Sequence, residues 1–162
     1  MNQPHPAKFK SSFLERGGAW VVIQAIMMLG ILGLAFGFHS NHINLGLIIV
    51  GFVFMGTGGA IGIAGAWALR KSLTPFPKPL PRSELVRNGI YSRIRHPLYT
   101  SVILGSIGWA IAWQSWPAVL VASGLIPFFM AKARHEERFL FDQFPDYADY
   151  AKSTKRFLPW VY

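Results

Sequence analysis

The sequence predicts an all-α integral membrane protein of four transmembrane helices, the last two folded as a hairpin. Three observations carry that expectation. Of the 162 residues 52% are hydrophobic and 14% are charged, where an ordinary soluble domain carries about 25% charged residues. No Lys, Arg, Asp or Glu falls between Arg16 and Arg70, or between Arg95 and Lys132. Of the 16 Lys and Arg residues, three precede residue 17, seven lie between 70 and 95, six lie from 132 onward, and the two turns between spans have none. The positive-inside rule puts all three basic segments, and so both termini, on the cytoplasmic side. The net charge of +9 then reads as a one-sided collar facing anionic lipid headgroups, not as a nucleic-acid surface. The chain is read as a single multi-pass membrane domain over 1–162, in a bacterial inner membrane or its equivalent.

In chain order, residues 1–18 form a basic cytosolic arm. A span needs about 20 apolar residues. The first charge-free stretch therefore holds two, at 19–38 and 43–69, turning at His39-Ser40-Asn41-His42. The first is too long for a signal-peptide core and is expected to be retained. His39 and His42, in a turn with no carboxylate nearby, read as polar turn residues, and the absence of Cys excludes disulfides and thiolate sites. Gly33-x-x-x-Gly37 and Gly58-x-x-x-Gly62, with Ala66 a turn on, are small-residue faces suited to close helix packing. Gly56-Thr57-Gly58 is no dinucleotide loop, because Ile61 stands where the third glycine is needed.

Residues 70–97 form a connector. Pro75, Pro77, Pro79 and Pro81 alternate, which forbids helix and favours a stiff extended strut, here expected to lie along the membrane surface as one wall of a site. Ser83 is expected to cap a short helix, and Asn88-Gly89 to turn the chain before Tyr91. The second charge-free stretch gives apolar segments at 98–113 and 116–131, a hairpin turning at Gln114-Ser115 with Pro117 in the returning first turn and a kink at Pro127. Each is short for a span, so the helices must run into polar sequence or the bilayer must thin. Antiparallel pairing about that turn sets His96 beside Ala133, Arg95 beside Arg134 and Tyr99 beside Met130. Two polar clusters thus converge: Arg93, Arg95, His96, Pro97 and Tyr99 with Lys132, Arg134, His135, Glu136 and Glu137. Ionisable groups gathered at a membrane boundary mark a site. In the segment 132–162, Phe141, Phe144, Tyr147 and Tyr150 alternate with Asp142, Asp146 and Asp149 as an amphipathic surface helix packing under that site, followed by a returning segment with Trp160 and Tyr162 suited to an interfacial belt.

These residues carry a resemblance. Leu85-Val86-Arg87-Asn88-Gly89-Ile90-Tyr91, then Arg95-His96-Pro97-Leu98-Tyr99, then Glu136-Glu137-Arg138-Phe139-Leu140, Phe144, Tyr147, Tyr150 and Arg156-Phe157-Leu158-Pro159 resemble the isoprenylcysteine carboxyl methyltransferase family, relatives of phospholipid N-methyltransferases. The match covers about half the chain, from 85 to 159. The resemblance implies a membrane methyltransferase that uses S-adenosyl-L-methionine. Its pocket, built from 75–97 and the C-terminal helix, would open to the cytosol, and a lipid or isoprenoid acceptor would enter from the bilayer. It also implies that Leu85, Val86 and Tyr91 line the cofactor, that His96, Pro97, Leu98 and Tyr99 contact it, that Glu136 holds one of its polar groups, and that Lys132 lies near the reacting group. Ser101 stands where the motif commonly has Gly and is expected to tighten the pocket; Pro145 replaces a Gly after Phe144.

Methyl transfer from a sulfonium is an in-line displacement in which the protein mainly positions the reactants. Tyr91 or Tyr99 could face the cation. A carboxylate acceptor is already ionised and needs a cation to orient it, with Lys132 and Arg134 as candidates. An amine acceptor needs a base, with His96 and Glu137 as candidates. The carboxylate is favoured, and the amine, a nicotinamide-dependent membrane reductase and a non-enzymatic membrane protein stand as alternatives.

Overall fold

The computed structural model describes residues 12–80 and 83–158. They form five α-helices: α1 (Gly18–Gly37), α2 (Leu45–Leu69), α3 (Pro97–Ala112), α4 (Trp116–Gln143) and α5 (Tyr147–Ser153). Short 3-10 turns occupy Arg70–Ser72 and Gly89–Ser92. No strand forms among the described residues, although a parallel bridge pairs Ile94 with Lys155. Helices α1, α2 and α4 are long and apolar enough to cross a membrane; α3, at 16 residues, is shorter. Residues 1–11 of the basic arm, and Pro81, Pro159, Trp160 and Tyr162, each given a part above, lie outside the described residues.

The first two helices fall where the charge-free stretch puts them. Helix α1 begins at Gly17, whose φ of 86° is left-handed and whose missing Cβ leaves room for the Pro77 ring, which would otherwise lie 2.8 Å away. The arm thereby folds onto the strut: Phe13 meets Phe76 edge-on at 5.7 Å, and the Arg16 guanidinium sits 4.1 Å over the Phe76 ring. Asn44 caps α2 by accepting the Leu47 N–H at 3.2 Å. The hairpin turns at Gln114, with φ 51°, and Ser115, whose hydroxyl donates to the Leu34 carbonyl of α1.

Glycines decide which faces meet. Along one side of α2, a Cβ on Gly51 would lie 2.6 Å from the Gly108 carbonyl oxygen, and one on Gly58 would lie 2.9 Å from that of Ser101. Gly62 faces the Ser101 side chain, and Gly65 faces Pro97 and Leu98. Backbone-to-backbone approach of this kind needs glycine. The Gly33/Gly37 pair behaves differently: a Cβ on either would meet nothing within 4 Å. Helix α1 packs instead on α4, burying Ile31 and Ala35 against a core of Ala118, Ala122, Leu125, Phe129 and Ala133.

Helix α4 runs on into polar sequence as far as Gln143, continuing through Pro127, so residues 132–137 are helical. Two local expectations are corrected. The chain after Ser83 is extended, with the Ser83 hydroxyl turned back to donate to the Leu80 carbonyl at 2.8 Å. The hairpin register slips by about a turn at the polar end: Tyr99 stacks on Phe129, yet His96 reaches Glu137 rather than Ala133. Residues 94–96 precede α3 outside helical geometry, Ile94 in the bridge to Lys155 and Arg95 in a bend, so the helix-on-helix register ends at Pro97.

Candidate active site

A recess lies where the polar end of the hairpin meets the connector and α5. Its cavity has a volume of about 110 Å³ and opens to the surface on one side. Leu85 and Val86 of the extended connector form one side, and Tyr91 reaches in from the 3-10 turn that Asn88 and Gly89 (φ 60°) set up. His96, Leu98 and Tyr99 enter from the start of α3, and Glu136 and Leu140 from α4. The strut contributes Thr74, Phe76 and Pro79. Of the residues expected to touch a cofactor, all but Pro97 line this recess; Pro97 packs on Gly65.

The two adjacent carboxylates have different surroundings. Glu136 is a quarter exposed and accepts the Tyr99 hydroxyl, with His96 Nδ1 at 3.6 Å. Glu137, one position on, points about 100° away around the helix and is buried. It accepts from Arg95 Nε at 3.1 Å, from Arg156 at 2.7 to 3.1 Å, and lies 3.2 Å from His96 Nε2. Arg95 also donates to the Thr154 carbonyl and hydroxyl and to Ala151, so it ties α4 to the returning segment beside the 94/155 bridge. His96 lies between the two carboxylates and stacks flat on Tyr99, with centroids 5.2 Å apart. Glu137 therefore orders the site from behind without lining it.

The two expected cations separate in the same way. Lys132 is 2% exposed; its ammonium donates to Gln24 Oε1 at 2.7 Å and to the Pro75 carbonyl at 3.3 Å, and lies 5.1 Å from the Tyr99 ring centroid. It joins α1, α4 and the strut directly behind the aromatic wall. Arg134 is exposed and outside the recess. Ser101 does not narrow the pocket: two residues from Tyr99 it points about 200° away, into Gly62 of α2. Pro145 lies exposed between α4 and α5.

Arg95, Tyr147 and Tyr150 line the recess as well, beyond the contacts the sequence reading assigned. The signal lay in the Tyr147/Tyr150 spacing, which was read as packing beneath the site. Tyr150 donates to the Tyr91 carbonyl at 2.7 Å, which fixes the 3-10 turn against α5. Burial pushes the Tyr150 phenol up to about 12, and burial with the Glu136 and Glu137 carboxylates raises Tyr91 and Tyr147 further. All three phenols stay protonated at neutral pH. Among the described residues no group of three or more His, Asp or Glu side chains is arranged to hold a metal ion.

Comparison with known proteins bears on this arrangement. The chain is 31% identical over 153 residues to the nickel-cobalt-cadmium resistance protein NccN of Alcaligenes xylosoxydans xylosoxydans, covering 91% of this chain and 67% of that one. It is 33% identical over 102 residues to the cobalt-zinc-cadmium resistance protein CzcN of Cupriavidus metallidurans, covering 62% and 47%. The chain thus spans two thirds of the first relative's length and about half of the second's. Residues 46–146 match the family described as phospholipid methyltransferase, a stretch that takes in the Gly face of α2, both walls of the connector, the Arg95-His96-Pro97-Leu98-Tyr99 run and Glu136. The chain therefore belongs to the phospholipid methyltransferase family, the family of isoprenylcysteine carboxyl methyltransferase-like membrane methyltransferases.

Proposed function

We propose that this protein transfers a methyl group from S-adenosyl-L-methionine to a lipid-like or isoprenoid carboxylate. It would do so at a cytosolic recess in a four-span bundle with both termini inside. The observation that carries the reading is the pairing, in one recess at the polar end of the apolar helices, of a partly exposed carboxylate, Glu136, with the aromatic side chains of Tyr91 and Tyr99. That donor set fits the cofactor's chemistry. Glu136 suits an ammonium or ribose hydroxyls, the Tyr91 ring suits a sulfonium at about 0.5 to 2 kcal/mol, Tyr99, whose ring already stacks on His96 and Phe129, holds Glu136 through its hydroxyl, and Leu85, Val86, Leu140 and Phe144 suit a flat apolar base. When bound, the cofactor supplies an electrophilic methyl; the chain's own residues bind, orient and exclude water.

A carboxylate acceptor asks for no base, and the site offers few. Glu137 is committed to Arg95 and Arg156, and the lining phenols of Tyr91, Tyr147 and Tyr150 are held protonated. Of the two cations, Lys132 takes the orienting role through its charge and not by contact, because its ammonium lies behind Tyr99, outside the recess lining, with neutral oxygens as its hydrogen-bond partners. Glu137 becomes a positioning residue for His96. Methylation of an amine is the second reading, favoured by the placement of His96 between two carboxylates, where an imidazole could pass on a proton.

Titration calorimetry of the purified chain with S-adenosyl-L-methionine and with a reduced nicotinamide tests the class: binding of the first alone is expected, and binding of neither at millimolar concentration overturns it. Incubation with methyl-labelled cofactor and membrane lipids, followed by alkali, tests the acceptor. A carboxyl ester releases labelled methanol, whereas label that survives in the lipid assigns an amine.

A further inference from the structure

A second recess lies on the side of α2 turned away from α3. Ala60, Ala64 and Ala68, at i, i+4 and i+8, form its floor, Ile63 and Trp67 form its wall, and Arg70 with the Asn88–Ile90 turn closes one end. The floor is small and the wall bulky, which leaves a groove along the helix. From Ala60 to Ala68 it runs about 12 Å along the helix, close to the depth of one leaflet's share of a hydrocarbon core about 30 Å thick. Ile63 is 72% and Trp67 71% exposed, so this surface faces whatever surrounds the bundle.

The closed end is of opposite character. Arg70 is exposed, its Nε donates to the Trp67 carbonyl at 3.3 Å, and its guanidinium carbon lies 5.6 Å from the centroid of the Trp67 ring. The residue holds φ 44°, a conformation that side-chain-bearing residues rarely adopt, and so turns the chain sharply where the apolar helix ends. Among the described residues no Asp or Glu lines the recess. Across the closed end stands Gly89, where an added Cβ would meet nothing within 4 Å, so the space beside the guanidinium is open. An apolar channel of leaflet depth ending in an exposed cation beside an exposed tryptophan is complementary to one kind of molecule: a lipid with an anionic headgroup.

We infer that this groove is a seat for an anionic membrane phospholipid, with one acyl chain along Ala60, Ala64 and Ala68 and the phosphate at Arg70. The seat backs onto the active site, since the turn that closes it continues into Tyr91, which lines the catalytic recess from the other side. A seated lipid braces that shared wall. The inference rests on α2 spanning the bilayer with Arg70 at its headgroup end and not on methyl transfer, so its test reads lipid retention and not activity.

Native mass spectrometry of the detergent-purified full chain, with phosphatidylglycerol and phosphatidylcholine of matched acyl chains, supplies that test. The wild type is expected to retain phosphatidylglycerol in preference to phosphatidylcholine. Arg70→Gln should weaken that retention about fivefold, the effect of one basic residue at a membrane surface. Arg138→Gln, the same charge loss at an exposed position on α4, should leave it unchanged. Ala64→Phe, which fills the floor, should lower retention of both lipids. Retention by Arg70→Gln equal to wild type overturns the inference, as does an equal loss in Arg138→Gln, which assigns the preference to the basic collar as a whole. Displacement of the lipid by inorganic phosphate alone overturns it as well, because it reduces the seat to an ion site.

Discussion

Replacing Glu137 by Gln separates a framework carboxylate from a ligand-binding one. In the native protein this side chain is 7% exposed and receives Arg95 and Arg156, whose side chains are 10% and 23% exposed. Removing one partner of a buried ion pair costs about 3 to 5 kcal/mol. The lower end applies here, because Arg95 keeps its bonds to Ala151 and Thr154 and Arg156 can turn to water. For a chain of this size each kcal/mol moves the melting temperature by about 2 to 4 °C. Glu137→Gln should therefore melt roughly 6 to 12 °C below wild type in tryptophan-fluorescence unfolding in detergent. Glu136→Gln keeps an oxygen that can accept the Tyr99 hydroxyl and loses the charge at a partly exposed site, at most about 1 kcal/mol, and should melt within a few degrees of wild type while losing affinity for S-adenosyl-L-methionine. A Glu137→Gln protein that melts with wild type, or a Glu136→Gln protein that melts as low as Glu137→Gln should, refutes the division of labour.

His96→Ala should abolish cofactor binding in calorimetry while the protein stays monodisperse in detergent, since its Tyr99 stack and its approach to both carboxylates go together. Gly62→Ala drives a methyl group into the Ser101 side chain and should cost about 1 to 3 kcal/mol, a loss that Ser101→Gly in the same chain restores in thermal melts; Gly33→Ala, with open space around it, should melt as wild type. The Tyr150 phenol, held near 12 in the folded protein against an ordinary 10, favours folding fully below pH 10, and that contribution is lost as the pH rises through 12. Melting temperature should therefore fall across that window, and less steeply in Tyr150→Phe.

The legible parts of this fold were those governed by solvent. Freedom from charge placed α1 and α2 to within about two residues, and the Gln114-Ser115 break placed the hairpin. Membrane-boundary polarity drew His96, Tyr99 and Glu136 together, the family resemblance added Leu85, Val86, Tyr91 and Leu98, and the structure puts all seven around one recess. What escaped was set by contacts distant in sequence. Nothing near Glu137 announces Arg156 as its partner, because the returning segment reaches it through the Ile94–Lys155 bridge. Nothing near Lys132 announces Gln24, more than a hundred residues earlier. The register slip at the polar end escaped because the chain leaves helical geometry before Pro97, which local periodicity does not see. Ser101 was the opposite case: the helical period alone turns it away from Tyr99, and only alignment with a motif drew it toward the pocket.

The packing of α1 on α4 rather than on its neighbour in sequence has a consequence for how the chain is made. As the protein leaves the ribosome, α1 and α2 enter the bilayer before α3 and α4, but neither is the other's principal partner. Helix α2 can settle when α3 arrives, glycine against glycine, whereas α1 must wait for α4 and for the Lys132 ammonium that Gln24 receives. Of these four helices the earliest inserted is thus the last to dock. A gene split in the His39–His42 turn should yield two fragments that reassemble in one membrane, because the cut falls between segments that find each other only at the end.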